Sequence, residues 1–448
     1  MSQIFTLFIF LFTGWFTFWL TLRMKVPFTR LATASVQLLD ALLLREKTDE
    51  FAQLLEQRVK SALMGLLVFV LFSFLVILPT ILIFNSALYN SNVIPSTFYA
   101  IGSLLPFLYI SYFQNKTSDY SYLSQLLHRL VLNNYELGHW LLLRQIRKVT
   151  IESAINQKSV IITGLARAGT TALTKAIAKN GNFSSLDYSN MPFLLYPRLW
   201  KYFYKPQNKK EKERAHKDGV TLGLSSVEAL EEYFFKVISS DSYLSKEGLV
   251  PYQVDSWILY KRYQTSIAGG RTYLSKNNNH ILRITNLIQD KNTFVFVLFR
   301  KPLEHADSLL QQHNLFCLQQ KNDPFTLEYM NWLGHHEFGI NHKPFLLNNT
   351  QTISVFNRES LEYWLERWTD YYSYILNFSG VTFLSYEQFL ANPESTLNFI
   401  SEQTNNAIDT YNLTKFSKQN KQIFFENKDL LRKADQIYKI LLEKSTRL

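Results

Sequence analysis

The chain has 448 residues, is 47% hydrophobic and 15% aromatic, and carries a net charge of +11 with a single cysteine. The lone thiol, Cys317, excludes an intrachain disulfide framework, and the length allows one large domain with additions or two domains. The positive balance suits an anionic ligand or an anionic membrane surface. Nucleic acid is not expected, because the basic residues do not interleave with a set of stacking aromatics.

The apolar excess lies in the first 115 residues, which points to membrane spans rather than an oversized core. Residues 4–22 and 62–84 carry no charge and have the length a bilayer needs. Residues 94–113, with Pro95 and Pro106, form a third segment that either spans or lies as a buried or interfacial helix. Between the first two segments stand Arg23, Lys25, Arg30, Arg45, Lys47, Arg58 and Lys60, whereas residues 85–93 are uncharged. The positive-inside rule puts the first loop in the cytoplasm. Three spans then leave the chain from Lys116 onward cytoplasmic, the expected arrangement, and two would leave it outside. Leu38, Leu39, Leu42, Leu43 and Leu54 fit an amphipathic helix, and residues 116–158 read as a helical connector.

Residues 159–163 (SVIIT) read as a short buried strand, followed by Gly164-Leu165-Ala166-Arg167-Ala168-Gly169-Thr170-Thr171 and a helix over 172–179. Strand, glycine loop and helix present backbone N–H groups and a helix N-terminus to a phosphate. The Gly-x4-Gly spacing is that of a nucleotide P-loop, yet Thr170 stands where an NTPase needs its Lys. The cation has moved inside the loop, to Arg167.

A second strand is expected over 292–299 (NTFVFVLF), ending in Arg300-Lys301-Pro302 and running into a helix over 303–313. Arg300 stands at the strand end and Ser308 about two turns into the helix. An NTPase commonly ends its second core strand in a magnesium-binding Asp, and here the residue is Arg. No HExxH and no cysteine pair is present, so no metal is expected, and the adjacent His335-His336 reads as structural.

Together, ARAGTTAL and the Arg-x-Pro-x5-Ser pattern resemble the PAPS-dependent sulfotransferases (PAPS, 3′-phosphoadenosine 5′-phosphosulfate), in the variety with Arg in the phosphosulfate loop, found in tyrosylprotein sulfotransferases and many bacterial members. The resemblance covers roughly residues 159–394. It implies that Arg167, Ala168, Gly169, Thr170, Thr171 and Ala172 hold the 5′-phosphosulfate, and that Arg300 and Ser308 hold the 3′-phosphate. A strand over 381–384 leading to Tyr386-Glu387-Gln388 resembles the family's segment whose Tyr lies near the adenine, with Gln388 in place of the usual Asp. Lys276-Asn277-Asn278 and a further expected strand, HILRIT, precede the second motif as minor support.

The family's acceptor base is a His or a Glu. Glu231 and His216 are the two candidates, ahead of Glu228, Glu232 and Asp187. The expected fold is α/β, a P-loop-type parallel sheet flanked by helices, preceded by an all-α transmembrane region. The expected divisions are 1–115 transmembrane, 116–158 connector, 159–395 sulfotransferase domain and 396–448 a basic helical tail. The expected activity is sulfuryl transfer from PAPS, without a metal, to a hydroxyl of a lipid or glycan acceptor. The alternatives are a P-loop kinase or NTPase, and a non-catalytic membrane protein with a degenerate domain.

Overall fold

The computed structural model describes residues 49–88, 120, 122–203, 212–213, 221–222, 230–348, 354–410 and 423–445, with isolated positions between 27 and 42. The chain divides into two units, Met1–Asn134 and Tyr135–Leu448, so the boundary falls inside the expected connector.

In the first unit, helix α1 (Asp49–Leu88) runs unbroken through the second apolar segment, and α2 (Tyr122–Leu132) follows. Along α1, Leu63, Met64, Leu66, Leu67, Leu71 and Phe74 are all exposed. Its side chains are described only as far as Phe74. Among the described residues no helix is long and apolar enough to cross a membrane. The first and third apolar segments lie outside the described residues.

The second unit opens with α3 (Tyr135–Ile146), α4 (Ile151–Ile155), β1 (Ser159–Thr163), α5 (Thr170–Ala178), β2 (Phe183–Ser184) and α6 (Pro197–Phe203). A small antiparallel pair, β3 (Lys212–Glu213) and β4 (Thr221–Leu222), is followed by α7 (Glu232–Ser239), α8 (Trp257–Ala268), β5 (Thr272–Lys276) and α9 (Ile284–Gln289). Then come β6 (Thr293–Phe299), α10 (Pro302–Asn322), α11 (Pro324–Trp332), α12 (Leu361–Ile375), β7 (Thr382–Ser385), α13 (Tyr386–Ala391), α14 (Pro393–Thr404) and α15 (Lys428–Lys444).

Five strands form one parallel sheet in the order β2-β5-β1-β6-β7. All five residues of β1 are buried, as a central parallel strand covered on both faces requires. Val160, Ile162, Leu298 and Leu384 of the sheet pack with Leu173 and Ile177 of α5 and Leu397 and Ile400 of α14 in one core cluster. This is the α/β parallel-sheet architecture expected from the alternation of strands and helices.

The strand order fixes where a ligand belongs. From β1 the chain goes to the edge at β2 and returns to β5 beside β1, then crosses β1 to place β6 and β7 on the other side. Such a reversal opens a crevice at the carboxyl ends of the two strands that flank it. Those ends carry the 164–169 loop and the Arg300 loop.

Two local expectations change. HILRIT is not a strand: the strand is TYLSK, and Asn278–Arg283 forms a 3-10 turn running into α9. Asn277 caps that turn, its side-chain oxygen accepting the Asn279 N–H at 2.9 Å, and a cap at this point starts helical rather than extended backbone. The Arg300 helix continues to Asn322, well past the expected 303–313. Trp364 and Trp368 are core residues, and the basic tail forms α15, which packs on α10, α12 and β7 through buried Ala434, Ile437 and Leu441.

Candidate functional site

The first loop leaves β1 through Gly164, whose backbone φ of +151° and close approach to the Leu298 carbonyl (2.5 Å from an added Cβ) leave no room for a side chain. The Ala168 N–H donates to the Leu165 carbonyl at 3.1 Å, which tightens the turn. Arg167 sits at φ 71°, a left-handed conformation that costs a non-glycine residue about 1–3 kcal/mol and clusters at functional sites. Gly169, at φ 93°, is the N-cap of α5. The first N–H groups of the helix therefore point back into the loop, where they favour an anion.

The second loop meets the first. Arg167 donates from Nε to Ser308 Oγ at 3.2 Å, across a separation of 141 residues. Arg300 lies over the Tyr386 ring, 5.3 Å from its centroid. Tyr386 in turn covers Gly169 so closely that a Cβ there would enter its ring. The expected ligand residues of the two motifs and of the Tyr386 segment thus surround one crevice. Arg167, Gly169, Thr171, Arg300, Ser308 and Tyr386 are each partly exposed there, while Ala168, Thr170 and Ala172 are buried behind them.

His305, fully buried on α10, holds the two loops together in a way the sequence did not announce. Its Nε2 lies 2.7 Å from the Ala166 carbonyl, so Nε2 carries the proton. Burial, aided by the charges of Arg300 and Arg167, takes its pKa down to about 3, against the hydrogen bond to Ala166. The ring is therefore neutral and adds no charge beside the two arginines. Lys276, the last residue of β5, is paired in register with Ile162 of β1 and adds a further cation at the same strand edge.

Behind the crevice lies a buried polar network. Glu232 receives Arg283 in an ion pair with both side chains fully buried, and also accepts from Tyr243 Oη at 2.5 Å and Asn277 Nδ2 at 2.6 Å. The Arg283 guanidinium stacks on Phe235 at 3.6 Å. Asn277 connects this network to the loop strand, its carbonyl accepting from Thr163 Oγ1 at 2.9 Å. Burial would raise the Glu232 pKa, but Arg283 and the neutral donors outweigh it and lower it.

The base candidates fare differently. Glu231 is buried and accepts from Tyr260 at 2.8 Å, Tyr273 at 2.7 Å, Ser275 and His280 Nε2 at 2.7 Å. Arg283 Nε donates to His280 Nδ1 at 3.2 Å, which leaves the His280 proton on Nε2 and the ring neutral. Four donors engage the carboxylate, and against the cost of burial His280, Ser275 and Tyr273 lower its pKa. Glu231, expected as a candidate base, is thus engaged by four donors inside the buried network. His216 and Glu228 lie outside the described residues. Asp187 caps a 3-10 turn, accepting from the Ser189 N–H at 2.9 Å. Among the described residues no group of His, Cys, Asp and Glu could hold a metal ion. His336 is buried in a loop contact, its Nδ1 3.3 Å from the Asn341 carbonyl.

Two predictions arise here. Gly169→Ala forces a left-handed alanine against Tyr386. It should cost about 1–3 kcal/mol of stability, read as a fall in denaturation midpoint. An unchanged midpoint would mean the ring does not pack there. The second concerns acid. His305 and His342 have pKa values lowered to about 3 and His336 to about 4, in each case chiefly by burial. In the unfolded chain they return to their ordinary value near 6.5. As pH falls from about 6.5 toward 4, the unfolded state takes up protons that the folded state refuses, so stability drops, by about 1.4 kcal/mol per tenfold difference in proton affinity. Melting temperature should fall steadily over this window; a flat profile from pH 7 to 4.5 would contradict the buried neutral rings.

No protein-family model matches the chain and no curated protein matches it. Two solved structures are similar. The sulfotransferase STF1 from Mycobacterium tuberculosis H37Rv is 13% identical, with 79% of this chain and 92% of that chain covered, at a TM-score of 0.36. The sulfotransferase STF9 from Mycobacterium avium is 12% identical, with 72% of this chain and 78% of that chain covered, at a TM-score of 0.37. Likenesses this distant carry no argument about chemistry, which rests on the crevice itself.

Proposed function

We propose that the protein is a sulfotransferase that moves a sulfuryl group from PAPS to an acceptor hydroxyl. The observation that carries this reading is the Arg167–Ser308 hydrogen bond, which brings the residues expected at the 5′-phosphosulfate and the 3′-phosphate to one crevice. A nucleotide with phosphates at both ends of its ribose fits two separate cationic loops better than a triphosphate fits a P-loop with Thr170 at the lysine position.

In the proposed reaction the acceptor oxygen forms a bond to sulfur while the bond from sulfur to the bridging phosphate oxygen breaks. The electron pair stays on that oxygen, and the acceptor proton passes to a base. Arg167 is the proposed partner of the charge that builds on the departing phosphate, which it would stabilise more in the transition state than in the ground state. Thr170, Thr171 and the start of α5 hold the 5′-phosphate, Arg300 and Ser308 the 3′-phosphate, and Tyr386 packs beside the base. His216 is retained as the proposed acceptor base. Incubation with sulfur-labelled PAPS and a panel of lipid and glycan extracts, with metal chelated, should label an acceptor and release PAP. Magnesium-dependent turnover of ATP without PAPS turnover would replace this reading with an NTPase.

The proposal includes a membrane-held enzyme and a lipid or lipid-linked glycan acceptor. Its support is the uncharged sequence over residues 4–22, 62–84 and 94–113, together with the exposed apolar side chains of α1. The full chain should stay with membranes through alkaline carbonate; its release would remove the anchor from the proposal.

A further inference from the structure

Arg300 belongs to a short loop, and something must hold that loop still. Its neighbour Lys301 is the N-cap of α10, with Pro302 in the first turn and no side-chain cap. Next to it lies a cavity of about 340 Å³, walled by Lys301, Pro302, Leu431, Asp435 and Tyr438. The pocket is open on this side, so packing alone does not fix the loop there.

A carboxylate does the fixing. The Lys301 N–H donates to Glu387 Oε1 at 3.0 Å. The other oxygen, Oε2, accepts from Ser385 Oγ at 3.0 Å and from the Tyr438 hydroxyl of α15 at 3.4 Å. The Tyr438 ring meets Phe299, the last residue of β6, edge-on at 5.8 Å. Burial and the Glu387 charge push the Tyr438 pKa upward, which keeps its hydroxyl protonated as the donor. Glu387 also follows Tyr386 directly, and the Tyr386 ring underlies Arg300 and covers Gly169.

We infer that Glu387 is a positioning residue for the 3′-phosphate loop, and that through Tyr438 it ties this loop to the C-terminal helix α15. The inference rests on the PAPS reading above. Glu387 does not touch the nucleotide; it fixes the backbone from which Arg300 projects. The C-terminal helix is then part of the nucleotide site, although it contributes no ligand to it.

The role makes a selective prediction. The loop serves the 3′-phosphate, so its loss should weaken PAP and spare AMP, which lacks that group. Calorimetric titration of the full chain with PAP and with AMP gives the ratio of the two affinities. Glu387→Ala should raise the dissociation constant for PAP about tenfold or more while leaving AMP within about twofold, by loss of charge-assisted hydrogen bonds. Glu387→Gln keeps an acceptor for the Lys301 N–H and should recover most of the ratio. Tyr438→Phe, which removes only the hydroxyl, should weaken PAP about threefold. Equal weakening of PAP and AMP, or no rescue by Gln, would reduce Glu387 to a general structural role and overturn the inference. Wild-type binding of PAP that Arg300→Ala weakens and Glu387→Ala does not would also overturn it while sparing the PAPS reading. Absence of PAP binding by folded wild type would instead overturn the PAPS reading.

Discussion

Replacing Arg167 by Ala should lower the turnover of PAPS by about 10²–10³-fold with little change in the affinity for unreacted PAPS, the loss seen when one preorganised donor to a developing oxyanion is removed. The local geometry gives the reason. Arg167 holds a left-handed backbone, which directs its side chain across the loop, and its Nε is engaged by Ser308. In the proposed site this guanidinium meets a phosphate oxygen whose charge grows as the sulfuryl group departs. Arg167→Lys keeps the charge without the fork or the Ser308 anchor, so it should recover only part of the rate. The measurement is single-turnover release of PAP from PAPS with a responsive acceptor extract. Equal loss of PAPS affinity, measured without acceptor, and of rate would mean that Arg167 binds ground state and transition state alike.

The second large effect is on stability. Glu232 and Arg283 are fully buried partners, and removing one leaves the other charged, desolvated and alone. Either Glu232→Ala or Arg283→Ala should cost about 3–5 kcal/mol, read as a shift of the denaturant midpoint. The double replacement Glu232→Met with Arg283→Met should cost less than the two single changes summed, because it leaves no buried charge. Additive losses would mean that water reaches the pair. The network passes through Asn277 to Thr163 at the end of β1. The single variants should therefore also loosen the phosphate loop, and weaker PAP binding by the fraction that remains folded would register this.

What could be read in the sequence was local and repetitive in its physics. β1 and β6 are apolar runs that end in a glycine loop and in an arginine, and both appear where the pattern put them, within a residue. The residues proposed as ligands stood out because anion chemistry needs particular side chains at particular spacings from a strand end. The surroundings of Glu231 were not legible because a glutamate on an expected helix face looks the same whether it meets solvent or four donors brought from other elements. Its partners Tyr260, Tyr273 and His280 come from α8, β5 and the turn after β5, and only the fold assembles them. His305 and Glu387 were silent for the same reason, since their partners are a loop carbonyl and a backbone N–H far off in the chain. HILRIT read as a strand by its β-branched residues, but the Asn277 cap and the three-residue spacing of His280 and Arg283 fit a turn that faces Glu231 and Glu232.

The central claim is that two cationic loops form one site for a nucleotide with phosphates on both ends of its ribose. Calorimetric titration of the purified full chain with PAP tests it most directly, run for wild type and Arg300→Ala, with ATP and magnesium as the competitor. The account predicts binding by wild type without a metal, a loss of about 10–100-fold in Arg300→Ala from the removed charge-assisted contacts, and no competition by ATP and magnesium. A folded wild-type protein that ignores PAP, or that releases it to ATP and magnesium, would contradict the account.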